Sequence, residues 1–125
     1  MAKPRVLIIE DEPHIVLSLE FLLAREGYET AAAADGEAGL ALAREFHPDV
    51  VLLDIMMPRK SGYEVCLAMR SDPALAPIPV IMLSARAQEV EVLKGLGVGA
   101  LAYITKPFAN AEVVEAVRAA LLSRA

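Results

Sequence analysis

Glu10, Asp11 and Glu12 stand in a row after a short apolar run, and Asp54 closes another. Ser84 closes a third, and Thr105-Lys106-Pro107 a fourth. Brought together, these side chains would have a definite chemistry. Two carboxylates about 5 Å apart repel by roughly 3 kcal/mol at an effective dielectric near 20. The three pairs among Glu10, Asp11 and Asp54 then cost on the order of 10 kcal/mol, so the cluster requires protons or a cation. All-oxygen ligands on an open site favour a hard ion, magnesium where phosphate is handled, with manganese as the alternative. A carboxylate beside such an ion, here Asp54, is a nucleophile toward phosphorus. Lys106 and the Ser84 hydroxyl would donate to phosphoryl oxygens, where negative charge gathers.

Those residues need elements to carry them. Short apolar runs recur at Arg5–Ile9, Tyr28–Ala32, Val50–Asp54, Ile78–Leu83 and Leu101–Thr105. They are rich in Val, Ile and Leu and bounded by turn signals such as Glu26-Gly27, His47-Pro48 and Ala76-Pro77, so they read as strands. Their near-continuous apolarity predicts burial on both faces, as in a parallel sheet. Helical spacing fills the intervals, at His14–Glu26, Glu37–Phe46, Tyr63–Arg70, Ala87–Leu96 and Asn110–Ser123. Strand and helix alternate five times with short connections, which predicts a doubly wound α/β sandwich of three layers. In such sheets ligands collect beyond the carboxyl ends of the strands, where strand order reverses. With order 2-1-3-4-5, Glu10, Asp11 and Asp54 converge, and Ser84 and Lys106 approach from the other side.

Each residue also has a plainer role open to it. Asp54 alone could form a turn before Met57-Pro58. The acids before Pro13 suit the start of a helix through its dipole, Glu12 above all. Ser84 could cap the fourth helix, and Lys106 could be a solvated surface lysine. Four such features meeting on one sheet edge are hard to explain as separate accidents.

Composition sets the outer bounds. The chain has 125 residues, enough for one domain with a single core. Apolar residues make up 56% and charged residues 23%, a globular balance and not a disordered one. A net charge of -5 argues against nucleic-acid binding by this segment, because phosphate backbones demand a basic face. The single cysteine, Cys66, permits no internal disulfide and suits a reducing compartment. No signal-peptide core and no apolar stretch near the roughly 20 residues of a membrane span is present, so the expectation is a cytoplasmic protein without membrane attachment.

The ordered motifs resemble the receiver domain of two-component response regulators over essentially the whole chain. Val6-Leu7-Ile8-Ile9-Glu10-Asp11-Glu12-Pro13 is similar to that family's first strand and acidic cluster. Val51-Leu52-Leu53-Asp54-Ile55-Met56-Met57-Pro58, followed by Gly62, resembles its phosphorylation loop. Val80-Ile81-Met82-Leu83-Ser84-Ala85 resembles the strand with its switch hydroxyl, and Tyr103-Ile104-Thr105-Lys106-Pro107-Phe108 its switch aromatic and lysine. The resemblance implies a flavodoxin-like fold and a single receiver domain over residues 1–125, either free-standing or at the head of a longer regulator. It implies phosphoryl transfer onto Asp54 from a histidine kinase or histidine phosphotransfer protein. Asp11, Asp54 and the Met56 backbone carbonyl would hold magnesium, with Glu10 acting through water. Lys106-Pro107 would be cis, Ser84 would swing to the phosphoryl group, and Tyr103 would turn inward behind it. Two charge-assisted hydrogen bonds at roughly 1.5–3 kcal/mol each approach the ~5.5 kcal/mol that inverts a 1:99 equilibrium. The changed surface of helix four, strand five and helix five would be read by a downstream protein or an output domain. Such a module assists its own phosphorylation and dephosphorylation but turns over no separate substrate.

Some positions depart from that pattern. Leu101 and Ala102 occupy places where one branch of the family carries the acids of a symmetric dimer, so a monomer or weak dimer is expected. Gly95, Gly97 and Gly99 cluster at the end of the fourth helix. Gly97 or Gly99 suits a C-cap, whereas Gly95 loosens the helix by about 1 kcal/mol relative to alanine. On the first helix, Ile15, Leu19 and Leu22 share a face toward the sheet, and Leu17 and Phe21 point the opposite way. That second pair is either scattered surface apolarity or a docking patch for the kinase. Met56 and Arg86 flank the acceptor where, in the family, side chains tune hydrolysis.

Three rivals fit less well. A flavin binder needs a hydroxyl- and glycine-rich phosphate loop after the first strand, where this chain has Glu-Asp-Glu-Pro. An aspartate-nucleophile phosphatase puts its nucleophile after the first strand and needs a capping segment that 125 residues leave no room for. A receiver that has lost its phosphorylation would lack some of the residues named above.

Overall fold

The computed structural model describes residues 2–57 and 59–124, so the predicted turn at Pro58 lies outside the described residues. The chain alternates β1 (Arg5–Ile9), α1 (Pro13–Arg25), β2 (Glu29–Ala33), α2 (Gly36–Phe46), β3 (Val50–Asp54), α3 (Gly62–Ser71), β4 (Val80–Ser84), α4 (Ala87–Leu96), β5 (Ala102–Thr105) and α5 (Asn110–Arg124). The strands form one five-stranded parallel sheet in the order β2-β1-β3-β4-β5.

The three central strands are buried along both faces, as their apolar runs require. Leu7, Ile9, Val51 and Leu53 face one layer, where they meet Leu40 and Ala43 of α2, Val65, Cys66 and Met69 of α3, and Leu93 of α4. Val6, Ile8, Val50 and Leu52 face the other, against Leu19 and Leu23 of α1 and Val113, Val117 and Ala120 of α5. Each fully buried Val, Leu, Ile or Met among them contributes roughly 1.5–3 kcal/mol of transfer free energy. No described helix is long and apolar enough to cross a membrane.

Several element limits differ from the sequence expectation, each for a local reason. The second strand starts at Glu29 because the Tyr28 N–H is still bonded to the Leu23 carbonyl at the end of α1. The fourth starts at Val80 because the Ile78 N–H closes a turn on Leu75 and Pro79 has no N–H to offer. The first helix takes Pro13 as its first residue, where a missing donor costs nothing. Gly97, at φ 64, is the C-cap of α4, as expected.

Candidate functional site

The strand registers bring the polar residues to a common level. Ile9 pairs with Leu53, Asp54 with Leu83, and Ser84 with Thr105. Glu10, Asp54, Ser84 and Lys106 are therefore released at the same carboxyl edge of the sheet. The Glu10 N–H donates to the Ala33 carbonyl at 3.0 Å, and the Lys106 N–H to the Ser84 carbonyl at 2.6 Å. The loop after Asp54 is closed by the Gly62 N–H on the Ile55 carbonyl at 2.8 Å. Gly62 has no substitute there, since a Cβ would run into the Asp54 carbonyl oxygen and stand 2.8 Å from the Ile55 Cα. The Lys106-Pro107 peptide is cis.

Glu10 and Asp54 are buried and Asp11 is exposed, yet one carboxylate oxygen from each lies within 4.8 Å of the others. The Lys106 ammonium spans the two buried acids, 2.6 Å from Glu10 Oε1 and 3.1 Å from Asp54 Oδ1. The Glu12 N–H donates to the other Glu10 oxygen at 3.1 Å. Burial, with the Glu10 charge next, lifts the Asp54 carboxyl to about 7, and the Lys106 charge and hydrogen bond only partly offset this. For Lys106, burial acts to lower the ammonium, but the hydrogen bond to Glu10 and the charges of Asp54 and Glu10 prevail, so the net shift is upward. Two buried carboxylates thus share one ammonium, with the Asp11 carboxylate beside them. An all-oxygen, acid-rich set with one member open to solvent has the chemistry of a hard divalent cation site, and Glu10, Asp11 and Asp54 could hold one.

The remaining predicted residues surround this cluster. Ser84 is fully buried, with its hydroxyl engaged by Arg86 and Glu89 at the start of α4. It is not the N-cap: Arg86 occupies that position and provides no side-chain cap. Tyr103 is half-buried at the margin of the core, with Lys94 Nζ 5.8 Å from its ring centroid, and burial pushes its phenol up. Met56 lies in the loop after β3 with its side chain exposed. On α1, Leu17 and Phe21 are 65% and 67% exposed, so the two-faced reading of that helix holds. Leu101 is half exposed beside the partly buried Ala102.

Two positioning features escaped the sequence reading. Ser61 and Glu64 form a reciprocal capping box that starts α3 directly after the Asp54 loop, and the Ser-x-x-Glu spacing announces it. Glu89 bonds to Ser84. An acid in the first turn of a helix reads as a dipole partner, so no local signal marks that contact.

The model of the response regulator receiver domain matches residues 6–118. The DNA-binding response regulator MtrA of Mycolicibacterium smegmatis is 40% identical over 119 residues, covering 95% of this chain and 51% of that protein. The sensory transduction protein RegX3 of Mycobacterium bovis is 43% identical over 116 residues, covering 93% and 50%. The chain therefore spans about half the length of these curated relatives. Among solved structures, a response regulator from Chloroflexus aurantiacus superposes with a TM-score of 0.90 at 31% identity, covering 97% of this chain and 99% of that one. The chemotaxis response regulator CheY4 of Vibrio cholerae gives 0.88 at 29% identity, covering 96% and 100%. With the family model spanning nearly all of it and its fold superposing on these structures, the chain belongs to the response regulator receiver domain family.

Proposed function

We propose that this chain is a phospho-accepting receiver of a two-component signalling system and that Asp54 is its acceptor. The observation that carries this reading is the Lys106 ammonium bridging the buried Glu10 and Asp54 at the strand ends. An Asp54 oxygen attacks the phosphorus of a phosphohistidine on a histidine kinase or phosphotransfer protein. The new O–P bond forms as the P–N bond breaks, and the electron pair leaves with the imidazole, which takes up a proton. Lys106 neutralises charge on the phosphoryl oxygens, and Ser84 donates its hydroxyl to one of them.

Glu10, Asp11, Asp54 and the Met56 carbonyl are the groups that would hold magnesium, with manganese as a substitute. When bound, the ion supplies positive charge that offsets the carboxylates and the incoming phosphoryl oxygens. Tyr103, half-buried on β5, reports the change to the surface of α4, β5 and α5, which a downstream protein or output domain reads. With a net charge of -5 this segment does not itself bind nucleic acid, and it works in the cytoplasm as a monomer or weak dimer. Residues 1–125 form one receiver unit, free-standing or heading a longer regulator. Its phosphotransfer and dephosphorylation act on its own aspartate and on no separate substrate.

The test is incubation with a small phosphodonor and magnesium, followed by intact mass and peptide mapping. The expected result is one phosphoryl adduct on Asp54, absent in Asp54→Asn. An unmodified chain, or an adduct elsewhere, overturns the proposal.

A further inference from the structure

The Ser84 hydroxyl is fully committed to the start of α4. Its oxygen accepts from the Arg86 N–H at 3.0 Å and lies 2.7 Å from the Arg86 carbonyl oxygen and 2.8 Å from Glu89 Oε1. A hydroxyl carries one proton and so donates to one acceptor at a time. The Arg86 carbonyl already receives the Glu89 N–H at 3.2 Å. A carboxylate is the stronger acceptor of the two, and Glu89 is half-buried, which limits competition from water.

We propose that Glu89 is a positioning residue of the switch, whose carboxylate competes with the phosphoryl oxygens on Asp54 for the single hydroxyl proton of Ser84. This rests on the reading of Asp54 as acceptor. Ser84 cannot serve both partners, so each turn toward the phosphoryl group gives up the Glu89 bond. The released carboxylate has room to move, because it lines an open groove with Ile55, Arg86 and Val92. The exchange also changes α4. Arg86 gives that helix no side-chain cap, so the Ser84 bonds to Arg86 and Glu89 tie its first turn to the end of β4. Glu89 thereby sets how strongly the unmodified state is held and which end of α4 is let go.

Beryllofluoride with magnesium, a stable mimic of the phosphoryl group, tests this by calorimetric titration of the wild type, Glu89→Ala, Glu89→Gln, Ser84→Ala and the Ser84→Ala/Glu89→Ala double variant. Removing a charge-assisted hydrogen bond from the resting state should tighten binding about tenfold in Glu89→Ala. Glu89→Gln, whose amide oxygen still accepts, should fall between that variant and the wild type. In the Ser84→Ala background the second substitution should change affinity by less than about twofold, because the competition has no proton left to act on. Equal tightening in that background would show a plain charge effect and overturn the proposal, as would unchanged affinity in Glu89→Ala. Absence of beryllofluoride binding by the wild type overturns the Asp54 reading and this one with it.

Discussion

Lys106 Nζ lies 3.1 Å from Asp54 Oδ1 across 52 positions of sequence, and the same ammonium is closer still to Glu10. Lys106→Met keeps most of the stem but leaves two buried carboxylates without their cation. Stripping one partner from a buried ion pair costs about 3–5 kcal/mol. Urea unfolding at pH 8 in a chelator should show a loss of that order, and added magnesium should recover most of it. A loss below about 1 kcal/mol, the scale of a surface pair, would mean that the acids are not held by Lys106.

The Asp54 carboxyl predicts how stability depends on pH when no divalent cation is present. Its folded value of about 7 lies above the ordinary 3.8, so the folded chain holds the proton that the unfolded chain has released. Stability therefore falls as pH rises from about 4 to about 7 and levels off above that, by about 2–4 kcal/mol from this group. The raised Lys106 ammonium acts elsewhere, since its stabilisation is lost only above its unfolded value of 10.5. Denaturation midpoints between pH 4.5 and 8 should decline in chelator and flatten with magnesium. A profile rising over this range without the ion contradicts the burial-driven shift.

Phe21 is 67% exposed, with the Arg25 guanidinium 5.8 Å from its ring centroid. Phe21→Ala should leave stability within about 0.5 kcal/mol. If Leu17 and Phe21 dock a kinase or phosphotransfer domain, the variant should slow transfer from that donor about tenfold, the scale of one interface anchor, and leave modification by a small phosphodonor unchanged. Equal slowing with both donors removes the docking role.

Gly62→Ala probes the close approach behind the acceptor. Its Cβ would meet backbone atoms of Asp54 and Ile55, neither of which can rotate away as a side chain could. Overpacking of this kind costs about 1–3 kcal/mol, and relief requires moving the Asp54 peptide. Stability and the rate of phosphorylation should therefore fall together. A stable variant with a normal rate would show that the loop yields freely.

The fold was largely legible in the chain because central parallel strands must be apolar on both faces, and Val6–Ile9, Val50–Leu53 and Val80–Leu83 are. Strand limits shifted where a single backbone bond decides, as at Tyr28 and Ile78. The acidic cluster followed from strand order alone. Ser84 was legible as a residue at the edge but not in its orientation, which depends on Glu89, one of several first-turn acids indistinguishable in sequence. Arg70 was equally silent. Its guanidinium donates to the carbonyls of Ala76, Ile78 and Gly99, and nothing local in an arginine near a helix end forecasts that it joins two segments 29 positions apart.

The Arg70 bond to Gly99, with the Cys66 thiol donating to the Val98 carbonyl at 3.2 Å, fastens the turn after α4 to α3. Glycines at 95, 97 and 99 suggested a slack end, yet Val98 is buried and the two fasteners hold its carbonyl and that of Gly99. If Ser84 leaves Glu89 as proposed, the helix acts as a lever held at its C-terminus and released at its N-terminus. Hydrogen exchange across Leu93–Val98 should stay slow with and without the phosphoryl mimic, while the amides from Arg86 to Glu89 quicken on that release.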